Sequence, residues 1–119
     1  MQKILVVDDE RDICDFVKTF FQDRGFEVLT ALNGEEALTV ARREKPEIVL
    51  LDIKMQGMDG IATLKHLKSI DKNIKVIMVT ALEDRDKMEE ARRLGACEYI
   101  TKPLVLDHLE QTVERTLKG

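Results

Sequence analysis

The chain has 119 residues, 44% hydrophobic and 35% charged, and its 19 Lys and Arg against 23 Asp and Glu leave a formal net charge of −4. That length supports one hydrophobic core and leaves no room for a second full domain. The acidic balance speaks against a nucleic-acid platform, which needs a dense cationic surface to displace phosphate counterions, and no basic run is visible.

Short continuous apolar runs alternate with longer amphipathic stretches, the pattern of a parallel sheet covered by helices. In chain order the spacing predicts a strand at Lys3–Val7, a helix at about Arg11–Arg24, a strand at Glu27–Thr30, a helix at about Glu35–Glu44 and a strand at Ile48–Leu51. It continues with a helix at Ile61–Ser69, a strand at Lys75–Val79, a helix at Asp84–Leu94, a strand at Glu98–Thr101 and a last helix at about Leu106–Leu117. Ile13, Phe16, Val17, Phe20 and Phe21 recur as one buried helical face. Gly25 and Gly95 follow amphipathic runs where a left-handed terminal residue is expected. Asn33, with Glu36 three residues on, reads as a helix N-cap. The polar, alternating runs Glu27–Thr30 and Glu98–Thr101 are expected at the sheet edges and the other three in the centre. The whole is a strict (βα)5 alternation in one domain, residues 1–119, with right-handed crossovers and helices on both faces.

Cys14 and Cys97 are too few and too far apart for a disulfide framework or a zinc site, and both sit in apolar patterns, so reduced, core-filling thiols are expected. The start, MQKILVVDDE, lacks the apolar run of a signal peptide, and no segment approaches the ~20 apolar residues that span a bilayer. A soluble, cytoplasmic protein without membrane contact is the expectation.

The reactive residues follow the strands. Asp8, Asp9 and Glu10 follow the first, Asp52 the third, Thr80 the fourth, and Lys102 with Pro103 the fifth. In open parallel sheets ligands bind at that carboxyl edge. An acidic run there also suits a helix N-terminus, whose dipole favours negative charge. Asp52, directly after IVLL, is harder to read that way, because an apolar edge disfavours its ionised form. With Asp8, Asp9 and Asp52 ionised and Lys102 protonated, the rim carries roughly −2, the charge that one Mg2+ neutralises, and oxygen-only ligands suit that hard ion. No His or Cys in these motifs favours zinc or copper.

The motifs ILVVDDE (4–10), LLDIKMQGMDG (50–60), VTA (79–81) and GACEYITKPL (95–104) together resemble the receiver domains of two-component response regulators, over nearly the whole chain. The resemblance implies a flavodoxin-like, doubly wound α/β fold with a five-stranded parallel sheet of order 2-1-3-4-5. It implies that Asp52 accepts a phosphoryl group from a histidine kinase or a phosphotransfer protein. Mg2+, for which Mn2+ substitutes, would be held by Asp8, Asp9, Asp52 and the backbone carbonyl of Lys54, with Asp9 the direct ligand and Asp8 acting mainly through metal-bound water. Lys102 resembles the phosphate-pairing lysine, Thr80 the switch hydroxyl and Tyr99 the aromatic whose rotamer reports activation. Pro103 would follow a cis peptide.

The same resemblance implies a phosphorylation-activated switch that catalyses its own phosphoryl transfer and slow dephosphorylation. Its fourth helix, fifth strand and fifth helix would signal to an effector protein or domain, without direct nucleic-acid binding, and it leaves room for a phosphorylation-dependent homodimer. Lys54 and Leu82 occupy places that influence dephosphorylation in this family: Leu82 is expected to shield the acyl phosphate and the Lys54 ammonium to approach its oxygens. The alternative is that both face solvent.

The chain departs from the family where Gln56 and Gly57 follow Met55 in place of a proline, which leaves the loop less restricted. Met55 and Met58 read as apolar loop anchors, and His66 and His108 as surface residues not placed for a phosphorelay. In EDRDKMEEARRLG, Met88, Ala91 and Leu94 form a thin apolar stripe, with a charged face opposite that is either solvated or a partner contact. A haloacid dehalogenase-type phosphohydrolase would carry its nucleophile after the first strand in a DxDxT pattern. A flavin module would need a Ser/Thr/Gly-rich phosphate loop there, where DDER instead repels phosphate.

Overall fold

In the computed structural model, residues 2–55, 57–81 and 85–118 are described. Strands and helices alternate as β1 (Lys3–Val7), α1 (Arg11–Gln22), β2 (Glu27–Ala31), α2 (Gly34–Glu44), β3 (Ile48–Asp52), α3 (Gly60–Ile70), β4 (Lys75–Thr80), α4 (Arg85–Arg93), β5 (Glu98–Thr101) and α5 (Leu106–Lys118). All strand pairs are parallel and the order is β2-β1-β3-β4-β5, that of a flavodoxin-like sheet.

The charge-free runs take the centre because both of their faces must be covered. Alternation along β1 sends Leu5 and Val7 to one side and Ile4 and Val6 to the other. On the first side they meet Val49, Leu51, Val76 and Met78 under Ala37 and Leu38 of α2, Leu64 and Leu67 of α3 and Ala91 of α4. On the second they meet Ile48, Leu50, Ile77 and Ile100 under Cys14, Val17 and Phe21 of α1 and Leu109 and Val113 of α5. Each fully buried Leu or Ile contributes about 1.5–3 kcal/mol. Such side chains fill both layers, so the sheet edge is a rigid platform for whatever follows each strand.

Local chemistry sets the boundaries. Asn33 and Asp59 accept hydrogen bonds from Glu36 N and Ala62 N, so α2 and α3 each begin one residue earlier than the spacing predicts. Gly25 and Gly95 adopt φ of 87° and 104°. The residue after each glycine donates five residues back, Phe26 N to Phe21 O and Ala96 N to Ala91 O, which closes α1 and α4. β2, β3 and β4 each run one residue further than expected, to Ala31, Asp52 and Thr80.

Two expectations are corrected. Phe16 is not part of the buried face but 51% exposed. Helical geometry centres the stripe on Cys14, Val17 and Phe21, with Ile13 and Phe20 on its flank and Phe16 beyond it. Cys97 is exposed, while Cys14 is buried. Cys97 lies in the turn ahead of β5, and strand parity puts it with the outward Tyr99 rather than the buried Ile100. Met88 and Leu94 do pack beside Ala91 on the core, Met55 and Met58 anchor their loop there, and His66 and His108 are exposed. Gln56, Leu82 and the Glu83–Asp84 segment lie outside the described residues. Among the described residues no helix is long and apolar enough to cross a membrane.

Candidate functional site

Register alone brings the reactive residues together. Val7 pairs with Leu51, so Asp8 and Asp52 emerge side by side from β1 and β3. Asp52 pairs with Val79, which sets Thr80 one step further along β4, and Thr80 pairs with Thr101, which delivers Lys102. The Lys102 amide donates to Thr80 O at 2.7 Å, and the Lys102–Pro103 peptide is cis.

Asp8 and Asp52 are 3% and 4% exposed. Lys102 Nζ stands 3.2 Å from Asp52 Oδ2 and 3.8 Å from Asp8 Oδ2. The opposite oxygens accept backbone bonds, Asp52 Oδ1 from Lys54 N at 3.2 Å and Asp8 Oδ1 from Glu10 N at 2.9 Å. Burial pushes both carboxyls above their ordinary range despite these donors. Burial also works against the Lys102 ammonium, but Asp52, then Asp8 and Glu10, outweigh it and its pKa goes up. The pairing is lopsided: the lysine is held charged, while Asp52, facing Asp8 as well, remains harder to ionise than a free carboxyl.

One carboxylate oxygen from each of Asp8, Asp9 and Glu10 lies within 4.8 Å of the others. Glu10, named with this acidic run but outside the expected metal set, is thus part of the cluster. It takes the N-cap position of α1 without a side-chain capping bond, so its carboxylate is left to the cluster. Asp8, Asp9, Glu10 and Asp52 gather at this rim around the Lys102 ammonium, and so dense a set of carboxylates is stabilised by protons or a cation. An all-oxygen set this compact fits a hard divalent ion.

Of the switch candidates, Thr80 ends β4 at this rim, while Tyr99 lies two residues back from Thr101 on β5, against α4. Thr80 is 1% exposed and its hydroxyl donates to Ala81 O at 3.2 Å. Tyr99, the expected switch aromatic, is 37% exposed and points outward; its hydroxyl accepts from Arg92 Nη2 at 2.7 Å, with the guanidinium 5.3 Å from the ring centre.

Two supporting residues escape spacing arguments. Gly60 N donates to Ile53 O at 2.8 Å, and a Cβ on Gly60 would overlap the Asp52 carbonyl oxygen, so the start of α3 lies flush against the end of β3. The only sequence signal for this is the glycine closing LLDIKMQGMDG. Cys14 Sγ donates to Asp8 O at 3.4 Å and lies 3.8 Å from Ala31 O, pinning α1 beneath the acids.

The chain matches the family model described as response regulator receiver domain over residues 4–114. It is 40% identical over 116 residues to sporulation initiation phosphotransferase F of Bacillus subtilis, covering 98% of this chain and 94% of that protein. It is 38% identical to the transcriptional regulatory protein ZraR of Salmonella typhimurium over 96% of this chain but only 26% of that protein, so it spans about a quarter of that regulator. Among solved structures, the receiver domain of NtrX from Brucella abortus superposes with a TM-score of 0.92 at 37% identity, and chemotaxis protein CheY4 of Vibrio cholerae with 0.92 at 32%, each covering 98% of both chains.

Proposed function

This chain belongs to the response regulator receiver domain family, and from that premise we propose that Asp52 is the residue that carries its phosphoryl group. The domain is a phosphoacceptor switch of two-component signalling. The observation that carries the assignment to Asp52 is its placement: a buried carboxylate at the end of the central strand, 3.2 Å from the Lys102 ammonium and flanked by Asp8.

Asp52 Oδ attacks the phosphorus of a phosphohistidine on a kinase or phosphotransfer partner. The O–P bond forms as the N–P bond breaks, and the imidazole nitrogen keeps the electron pair. Lys102 pairs a phosphoryl oxygen, so the residues act by position and electrostatics. Asp8, Asp9, Asp52 and the Lys54 carbonyl would hold Mg2+ or Mn2+, with Glu10 adding negative charge beside them. When bound, the ion neutralises charge on the transferring group. Loss of the group by hydrolysis in the same site is slow and resets the switch.

Phosphorylation gives Asp52 oxygens that need donors. Thr80 must release Ala81 O to supply one, and that movement frees space on the side where Tyr99 now points outward. The readout surface is α4, β5 and α5, addressed to an effector protein or domain in the cytoplasm. Residues 1–119 form one such receiver unit.

Incubation with Mg2+ and acetyl phosphate tests this reading. It predicts a stoichiometric, acid-stable and base-labile adduct that is lost in Asp52→Asn. Multiple turnover of a phosphomonoester would instead mark a hydrolase.

A further inference from the structure

Beside the acids, between the β3–α3 segment and α4, a cleft of about 390 Å3 is lined by Asp9, Ile53, Lys54, Met55, Asp59 and Lys87. We propose that Lys87 is a specificity-determining residue for small phosphodonors, favouring those whose leaving group departs as an anion. The inference rests on the reading of Asp52 as the phosphoryl acceptor and concerns what lies opposite it.

The cleft shares a wall with the nucleophile, since Lys54 N donates to Asp52 Oδ1 at 3.2 Å. Asp52 is buried at the end of β3, so an in-line donor approaches from the solvent side, where this cleft lies beside Lys54. Of the two acids there, Asp59 is committed to capping α3 through Ala62 N at 2.9 Å, and Asp9 belongs to the acid cluster. A leaving group therefore meets the lysines. Lys87 comes from a separate element, half-buried next to Met88, whose side chain packs on the core. Its stem is thereby positioned on the wall facing the β3–α3 segment.

With acetyl phosphate, the Asp52 Oδ–P bond forms and the P–O bond to acetate breaks. Acetate takes the electron pair and leaves as a carboxylate, and no proton moves. A nearby ammonium stabilises that developing charge. With phosphoramidate the N–P bond breaks and the nitrogen, protonated beforehand, leaves as neutral ammonia. An ammonium at Lys87 offers that reaction nothing and repels the protonated donor nitrogen.

The test is the ratio of Asp52 phosphorylation rate constants for acetyl phosphate and phosphoramidate, measured with Mg2+ in the parent, Lys87→Ala and Lys87→Arg. The ratio is expected to fall about threefold in Lys87→Ala, the size typical of one solvent-screened charge, and to be kept in Lys87→Arg. An unchanged ratio in Lys87→Ala would overturn the proposal while leaving Asp52 as acceptor. Failure of both donors to phosphorylate the parent would overturn that assignment and this one together.

Discussion

The Lys102 ammonium stands 3.2 Å from Asp52 Oδ2, so under the proposed function the cation that would receive phosphoryl oxygens already compensates the acid that would carry them. One residue would then serve two states: it offsets a buried carboxylate in the structure, and on the proposed reading it would follow the charge outward onto the new oxygens.

Replacing Lys102 should therefore have separable effects. Lys102→Ala leaves Asp8 and Asp52 buried without their cation and is expected to lower stability by about 1 kcal/mol, between the values for exposed and buried pairs because the lysine is part-exposed. Some phosphorylation should survive, with a weakened conformational response. Urea midpoints and partner affinity of the phosphorylated forms check this; equal partner affinity in variant and parent would contradict it.

Without divalent cations, Asp52→Asn should be more stable than the parent at pH 7. Burial raises the folded-state pKa of Asp52 above its ordinary value of 3.8, so the folded state binds more protons than the unfolded one just above that pH. Stability of the parent then falls as pH rises through that window and stays lower beyond it. The advantage of Asp52→Asn should shrink as pH falls through that window and be lost below about 4. Urea melts in EDTA across pH measure it, and parallel pH profiles would refute the sign.

Gly60→Ala should cost about 1–3 kcal/mol, the usual range for forcing a methyl into packed backbone, since its Cβ would overlap Asp52 O and crowd Ile53 Cα. The displaced segment includes Lys54, so Mg2+ affinity should fall as well. Tryptic and thermal stability, with a Mg2+ titration, read both effects; an unaltered Mg2+ affinity would separate Gly60 from the site.

The two thiols should react at very different rates. Burial, then the Asp8 charge, pushes Cys14 up to about 11, so at pH 8 its thiolate is scarce as well as enclosed. A disulfide reagent should label the exposed Cys97 promptly and Cys14 only on unfolding. Two fast thiols would show that α1 opens readily beneath the acids.

Much of this was legible in the residues because the sheet is parallel. Charge-free runs such as Ile48–Leu51 must be central, and a reactive group placed directly after such a run can only emerge at the shared carboxyl rim, so Asp8, Asp52, Thr80 and Lys102 converge by register. Side-chain direction at the margins of elements was not legible. Phe16 sits just past the flank of the buried stripe, Cys97 precedes an edge strand whose parity turns it out, and Glu10 joins the acids because it makes no capping bond. The tight seat of Gly60 under Asp52 depends on how α3 meets β3, a tertiary contact with no local periodic signature.

The most direct test of the central claim is to locate the phosphoryl group. After phosphorylation with Mg2+ and acetyl phosphate, borohydride reduction converts an aspartyl phosphate to homoserine, which peptide mass spectrometry places in the chain. Homoserine at position 52 alone, absent from Asp52→Asn, is the predicted result; homoserine at another aspartate, or an adduct that persists in Asp52→Asn, would contradict the account.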